Sequence, residues 1–375
     1  VGELLAPRFE RLGFRTRWEE MPPAMGRAGH LYAERRGSRG KRLLLIGHLD
    51  TVFEPDSPLQ RFERTDSVAR GPGVSDMKGG DVVIVLALEA LASVGALEGT
   101  TITVALTGDE ERPGAPLGRA REGLVEAARR SDVALDFENG VRQLDGDYAS
   151  TARRSSSTWR LTVRAPGGHS SGVFRPGTGS GAIYEAARIL TAFHEELRDT
   201  PGATFSPGVI LGGTDVTFDT TQSRGTAFGK PNVVAAQVVV EGDLRTRADS
   251  TTARLRERMR AIVARNLPRT SATIEFLEDG YPAMSESPEG RRLMARLSEA
   301  SEAIGYGPVG TLDPDLRGAG DISFVAPLIP GLAGLGVMGS GAHSERETVD
   351  LRSLERQAAR AAVLLYRLTR ESSSP

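Results

Sequence analysis

The chain alternates apolar runs of two periods, and these set its frame. Residues 42–48 read as a buried strand, Met77 to Val94 as a helix apolar on nearly every side, and "TTITVALTGDEE" as a second buried strand. Together they predict a βαβ unit. A third short strand, "VALDFEN" at 133–139, again ends on acidic residues, so three strands deliver polar groups at the edge where open α/β sheets bind ligands. From Thr158 the order becomes strand "TWRLTVRA", helix 180–198, a Gly/Thr-rich strand region near 208–218, strand "NVVAAQVVVEGDLRT", helix 250–266 and strand "SATIEFLE". This β-α-β-β-α-β order predicts a ferredoxin-like α+β unit. Pro282 to Pro288 lead into a helix at about 289–304, an apolar stretch "GLAGLGVMG" and an amphipathic helix from about Leu351 to Thr369. The closing "SSSP" reads as disordered. The expectation is an α/β domain (1–152 and 283–375) interrupted by an inserted α+β domain (153–282).

Composition narrows the function classes. At 375 residues there is room for two cored domains. A net charge of −2, from 47 basic and 49 acidic residues, argues against nucleic acid or an anionic membrane surface as partner and leaves small molecules. No apolar run approaches the ~20 residues of a membrane span. With no cysteine, any metal must be held by His, Asp and Glu. The start at Val1, inside the amphipathic pattern Leu4, Leu5, Phe9, Leu12, suggests trimming upstream; the compartment stays open, with export favoured.

Of five histidines, His48, His169 and His343 lie in Gly-flanked loop contexts, whereas His30 and His194 read as structural. His48 alone would pass as a satisfied strand-end residue, but Asp50 can accept its second N–H and fix the tautomer that faces a metal. Asp76, in "GPGVSDMKGGD", precedes a buried helix, where an N-cap is the ordinary role. The Gly-rich loop lacks the Lys-Ser/Thr ending of a phosphate-binding motif. Asp109, Glu110 and Glu111 put three carboxylates at one strand end, which is costly in a buried setting without a compensating cation or proton. Glu138 ends the third strand and His343 lies late in "GSGAHSERE". A set of His, Asp, Glu, Glu and His suits two zinc-like ions bridged by one carboxylate.

"GHLDTV", "GPGVSDMKGG", "TGDEE", "FE" at 137–138, "GGHSSG" and "GSGAHSE", in that order, resemble the dinuclear-zinc exopeptidase and deacylase family of glutamate carboxypeptidase, aminoacylase, succinyl-diaminopimelate desuccinylase and acetylornithine deacetylase, with motifs nearest the glutamate carboxypeptidase type. The resemblance implies a zinc-exopeptidase-like catalytic domain with an inserted lid and dimerisation domain, holding two Zn2+ per chain, with Co2+ or Mn2+ as substitutes. It implies that His48 and Glu138 hold one ion, Glu111 and His343 the other, and that Asp76 bridges them. Asp50 would orient His48, and Glu110 would be the general base. His169 would polarise the scissile carbonyl in the partner subunit's site, Arg245 would bind the substrate carboxylate and Asn232 would add hydrogen bonds near the oxyanion. Folate-cleaving members tend to carry Gly-Arg-Pro where this chain has Gly280, Tyr281 and Pro282, which leaves glutamate specificity open. The expected function is metal-dependent hydrolysis of an amide bond next to a free carboxylate, on a peptide or N-acyl amino acid, in a homodimer. The alternatives are a dipeptidase or aminopeptidase on the same scaffold, or a catalytically silent binding dimer.

Overall fold

The computed structural model describes residues 1–220, 222–278 and 280–371; the C-terminal "SSSP" lies outside the described residues. Two compact units emerge, Val1–Arg153 with Met284–Pro375, and Arg154–Ala283.

The first unit is built on a six-stranded sheet in the order Arg15–Glu19, His30–Arg35, Thr100–Thr107, Arg39–His48, Val133–Asp136, Gly331–Leu332. The last four run parallel to one another, while His30–Arg35 joins antiparallel at one side. Alternation along the central strands buries both faces. Leu43, Leu45, Val104 and Leu106 pack with the helices Lys78–Ser93, Pro288–Ala303 and Arg352–Leu368, whereas Leu44, Ile46 and Ala105 pack with Leu124 and Ala127 of the helix Glu122–Arg129. Helices therefore cover both sides, and polar groups at the strands' C-terminal ends have one open edge to occupy.

The expected βαβ unit is present as Arg39–His48, Lys78–Ser93 and Thr100–Thr107. The strands Arg15–Glu19 and His30–Arg35 are not legible in the hydrophobic pattern: the edge strand "RTRWE" has no continuous apolar face, and the inner strand "HLYAER" has only three apolar residues before its charged end. Gly80 sets how closely the helix approaches: a Cβ there would run into the Phe137 carbonyl oxygen, so only glycine lets the first helical turn reach the chain just before Glu138. The hairpin Gly339–Ser340/Thr348–Asp350 pairs onward with Val68–Arg70 and holds the 341–347 loop.

The second unit has a four-stranded antiparallel sheet in the order Ala203–Gly213, Gln237–Thr246, Ser157–Arg164, Ser271–Phe276, with helices Ala182–Leu197 and Asp249–Val263. In chain order this is second, third, first, fourth, the ferredoxin-like arrangement. Trp159, Leu161, Val163, Ile189, Phe193, Val240 and Met259 form its core. Two expectations change in detail. The single strand expected over 232–246 divides, with Val233–Val234 pairing to Gly168–His169 before Gln237–Thr246 enters the sheet. The Gly/Thr-rich region resolves into the edge strand Ala203–Gly213 and a separate hairpin, Asp215–Asp219 with Arg224–Phe228. Among the described residues no helix is long and apolar enough to cross a membrane.

Candidate metal centre

His48 ends its strand and is almost fully buried, at 2% exposure. Its Nδ1 lies 3.3 Å from Asp50 Oδ1 and its Nε2 lies 3.1 Å from Asp76 Oδ1. Asp50 does a second job: Oδ1 accepts from Glu110 N at 3.1 Å and Oδ2 from Glu111 N at 3.0 Å. One carboxylate thus locks the imidazole to the turn that carries the two glutamates.

Asp76 does not cap the helix that follows it. The capping position is Met77, which makes no side-chain capping bond, and the Asp76 carboxylate instead spans two imidazoles. Its Oδ1 faces His48 and its Oδ2 lies 3.1 Å from His343 Nε2, which also sits 3.1 Å from Glu111 Oε2. Ligand atoms of His48, Asp76 and Glu111 all fall within 4.8 Å of one another. His343 is delivered by the 341–347 loop with φ 61°, just after Gly341 at φ 70°. A histidine in the left-handed region is uncommon and is held here by its tight turn, in which Ser344 N donates to Gly341 O at 3.0 Å.

Sequence reasoning missed the residue that shapes the Asp76 loop. Glu347 is fully buried and accepts from the amides of Gly73 (3.1 Å), Ser75 (2.8 Å) and Asp76 (3.0 Å). Nothing in its neighbourhood distinguishes it from Glu345, two positions earlier and exposed. The third carboxylate of the acidic triplet, Asp109, takes no part in the cluster: Arg121 clamps it at 2.5 Å and reaches Asp321 at 2.7 Å, and Asp321 accepts from Thr107. His30 is structural as expected, with Nδ1 accepting from Gly108 N and Nε2 donating to Ala120 O, and His194 is exposed on its helix.

Glu138 is treated differently from the other candidates. Its Oε2 lies 2.8 Å from Arg153 Nη2 and 3.2 Å from Arg317 Nη2, two arginines that sequence reasoning did not single out. In the second unit, the pairing of Gly168–His169 with Val233–Val234 and a bond from Ser170 N to Asn232 O (2.9 Å) bring His169 and Asn232 side by side. Ser171 N donates to His169 Nδ1 at 3.2 Å, which leaves the ring proton on Nε2. Arg245 Nε donates to Asp243 Oδ2 at 2.7 Å.

The electrostatics are those of a cluster built around positive charge. Burial pulls the His48 pKa down, but its bonds to Asp50 and Asp76 lift it well above the ordinary imidazole value. His343 is pushed up to about 10 by Asp76 and Glu111. Asp76 is held far below the carboxylate range by both imidazoles, against the upward pull of burial. Burial, resisted by His48 and reinforced by Glu138, Asp321 and Glu111, pushes the Glu110 carboxyl well up. Glu111 is raised mainly by burial, and its Oε1 is buried with no hydrogen-bond partner among the described residues. An orphaned buried carboxylate oxygen beside two carboxylate-held imidazoles fits a divalent cation, because a cation satisfies the oxygen and replaces the imidazole protons.

Residues 44–367 match the family described as Peptidase family M20/M25/M40. The chain belongs to that family. It is 29% identical over 373 residues to a succinyl-diaminopimelate desuccinylase of Ralstonia nicotianae, covering 94% of this chain and 90% of the relative. It is 27% identical over 375 residues to carboxypeptidase G2 of a Pseudomonas species, covering 98% and 83%. Among solved structures, a dinuclear metal-binding M20 peptidase of Bacillus subtilis superposes with a TM-score of 0.64 at 16% identity, over 98% of this chain and 92% of that one. The M20 protein is thus a metallo-hydrolase with an inserted α+β domain, as the motifs implied.

Proposed function

We propose that this M20 hydrolase cleaves an amide bond adjacent to a free carboxylate, as a carboxypeptidase or N-acyl-amino-acid amidohydrolase, with two zinc ions. The observation that carries the reading is the cluster itself: Asp76 spans His48 and His343 with separate oxygens, and Glu110 is held beside it through Asp50. The two relatives, a desuccinylase and a carboxypeptidase, support the same bond class.

Asp76 would bridge two ions, His48 and Glu138 would complete one site, and Glu111 and His343 the other. Bound divalent ions supply Lewis acidity, which lowers the pKa of water and polarises a carbonyl. Glu110 takes the water proton and passes it to the leaving amine; a carboxyl raised by burial and neighbouring negative charge is suited to both transfers. Asp50 keeps Glu110 and the His48 ring in register. His169 offers Nε2–H to the carbonyl oxygen of a substrate in the partner subunit, with Asn232 beside it, and Arg245 binds the substrate carboxylate. The chain would act as a homodimer through its inserted unit.

The test is a panel of N-acyl amino acids and dipeptides ending in glutamate, aspartate or neutral residues, each as free acid and as amide. The free acids of at least one class should be hydrolysed and their amides spared. Glu110→Gln should lower kcat on the best substrate at least ~10²-fold, the usual scale for a lost general base, with metal content unchanged. Equal turnover of acids and amides would overturn the specificity, and near wild-type turnover by Glu110→Gln would overturn its role.

A further inference from the structure

Within the set of proposed ligands, the counter-charges fall into two kinds. Asp76 and Glu111 are paired with the imidazoles of His48 and His343, which belong to the same set of proposed ligands. Glu138 is paired with two guanidinium groups, which stay charged at every accessible pH. Both are fixed. Arg153 Nε donates to Gly318 O at 2.7 Å, its Nη2 to Ala319 O at 2.6 Å, and its Nη1 lies 3.3 Å from Asp136 Oδ2. Arg317 Nη1 donates to Asn139 Oδ1 at 3.0 Å. Their side chains are only 4% and 9% exposed.

Both arginines converge on the same oxygen. Oε2 of Glu138 receives Arg153 and Arg317, while no hydrogen bond reaches Oε1 among the described residues. The space beside Oε1 depends on Gly320, where a Cβ would come within 2.6 Å of that oxygen and collide with the Arg153 guanidinium. Glu138 is therefore oriented to offer one oxygen, with its negative charge already shared between two cations.

We propose that Arg153 and Arg317 are positioning residues that make the Glu138 half of the centre bind its ion distinctly more weakly than the Glu111 half. The inference rests on the reading of Glu138 and His48 as ligands of one ion. A divalent cation at Oε1 meets two fixed positive charges across a single carboxylate, and a carboxylate drained by guanidinium groups is a poorer donor. Among the described residues Glu111 is ion-paired with His343 alone and meets no guanidinium. The protein fills the Glu111 side first and exchanges the Glu138 ion readily.

The experiment titrates metal-free protein with Co2+, followed by calorimetry and by the visible absorption of the bound ion. Two classes of site are expected, with dissociation constants at least about tenfold apart, the lower end of what groups around a ligand contribute. Arg317→Met should tighten the second ion by about tenfold and leave the first unchanged, since Arg153 still orients Glu138. Arg317→Lys, which keeps the charge, should stay near the wild type. Where Arg317→Met does not fold by circular dichroism, Arg317→Gln takes its place. Equal affinities in the wild type, or a gap that the neutral variants do not narrow, overturn the inference. Glu138→Gln separates the two failures: if it weakens the second ion while neutral Arg317 variants do nothing, only the inference falls. If Glu138→Gln leaves both affinities untouched, the ligand reading falls and the inference with it.

Discussion

Replacing Glu347 by glutamine should damage both stability and metal binding, although Glu347 is no ligand. The glutamate presents Oε1 to the amides of Ser75 and Asp76 and Oε2 to that of Gly73. Glutamine can offer its oxygen to the first two only, and its nitrogen then faces Gly73 N–H, donor against donor. A buried donor without an acceptor costs about 1–3 kcal/mol. The two surviving bonds lose their charge assistance, about 1 kcal/mol each, and relief from burying a charge returns part of the sum. The net loss is about 2–4 kcal/mol. For a unit of this size it lowers the melting temperature by roughly 5–15 °C. The loop Gly71 to Asp76 is what these bonds shape, so Asp76 should also lose its placement between His48 and His343. The assay is thermal melting of the metal-free protein together with a zinc titration, with the exposed Glu345→Gln as control. Melting and zinc affinity both within error of the control would refute the reasoning.

Three further outcomes follow from the same geometry. Loading the metal-free protein with zinc at pH 7.5 should release at least about one proton, since His343, pushed up to about 10, must lose its proton to bind; calorimetry in buffers of different ionisation enthalpy counts it, and release near zero would contradict the raised pKa. The sign for the metal-free protein is that of a raised histidine: the stability from the His343 pairs is fully present below pH ~6.5 and fades as pH climbs through about 10. Arg121→Met leaves Asp109 and Asp321 buried without their shared guanidinium and should cost about 3–5 kcal/mol, read by denaturant unfolding; a loss below 1 kcal/mol would show that the network is dispensable. Chains carrying His169→Ala and Glu110→Gln, each nearly inactive alone, should regain activity when mixed and exchanged, and heterodimers without recovery would place the action of His169 within one chain or nowhere.

By itself the chain determined the parallel strands and their acidic ends, the ferredoxin-like order of the inserted unit, and the residue types at the centre. Those features are local: a period of two or 3.6 reports which face is buried, and "GHLD", "TGDEE" and "GSGAHSE" put their polar groups directly after strands or in tight turns. Tertiary structure decided which partners those groups meet. Gly73 and Glu347 are 274 positions apart, His343 and Asp76 267, and Arg317 and Glu138 179, so no spacing along the chain could join them. It also decided that Asp109, adjacent to Glu110, faces Arg121 instead of the cluster, and that Asp76 bonds two imidazoles instead of capping its helix. The physical reason is the same in each case. Burial removes water as the alternative partner, so a carboxylate must take whichever donor or cation the packed elements bring within reach, and only the folded sheet edge fixes which one that is.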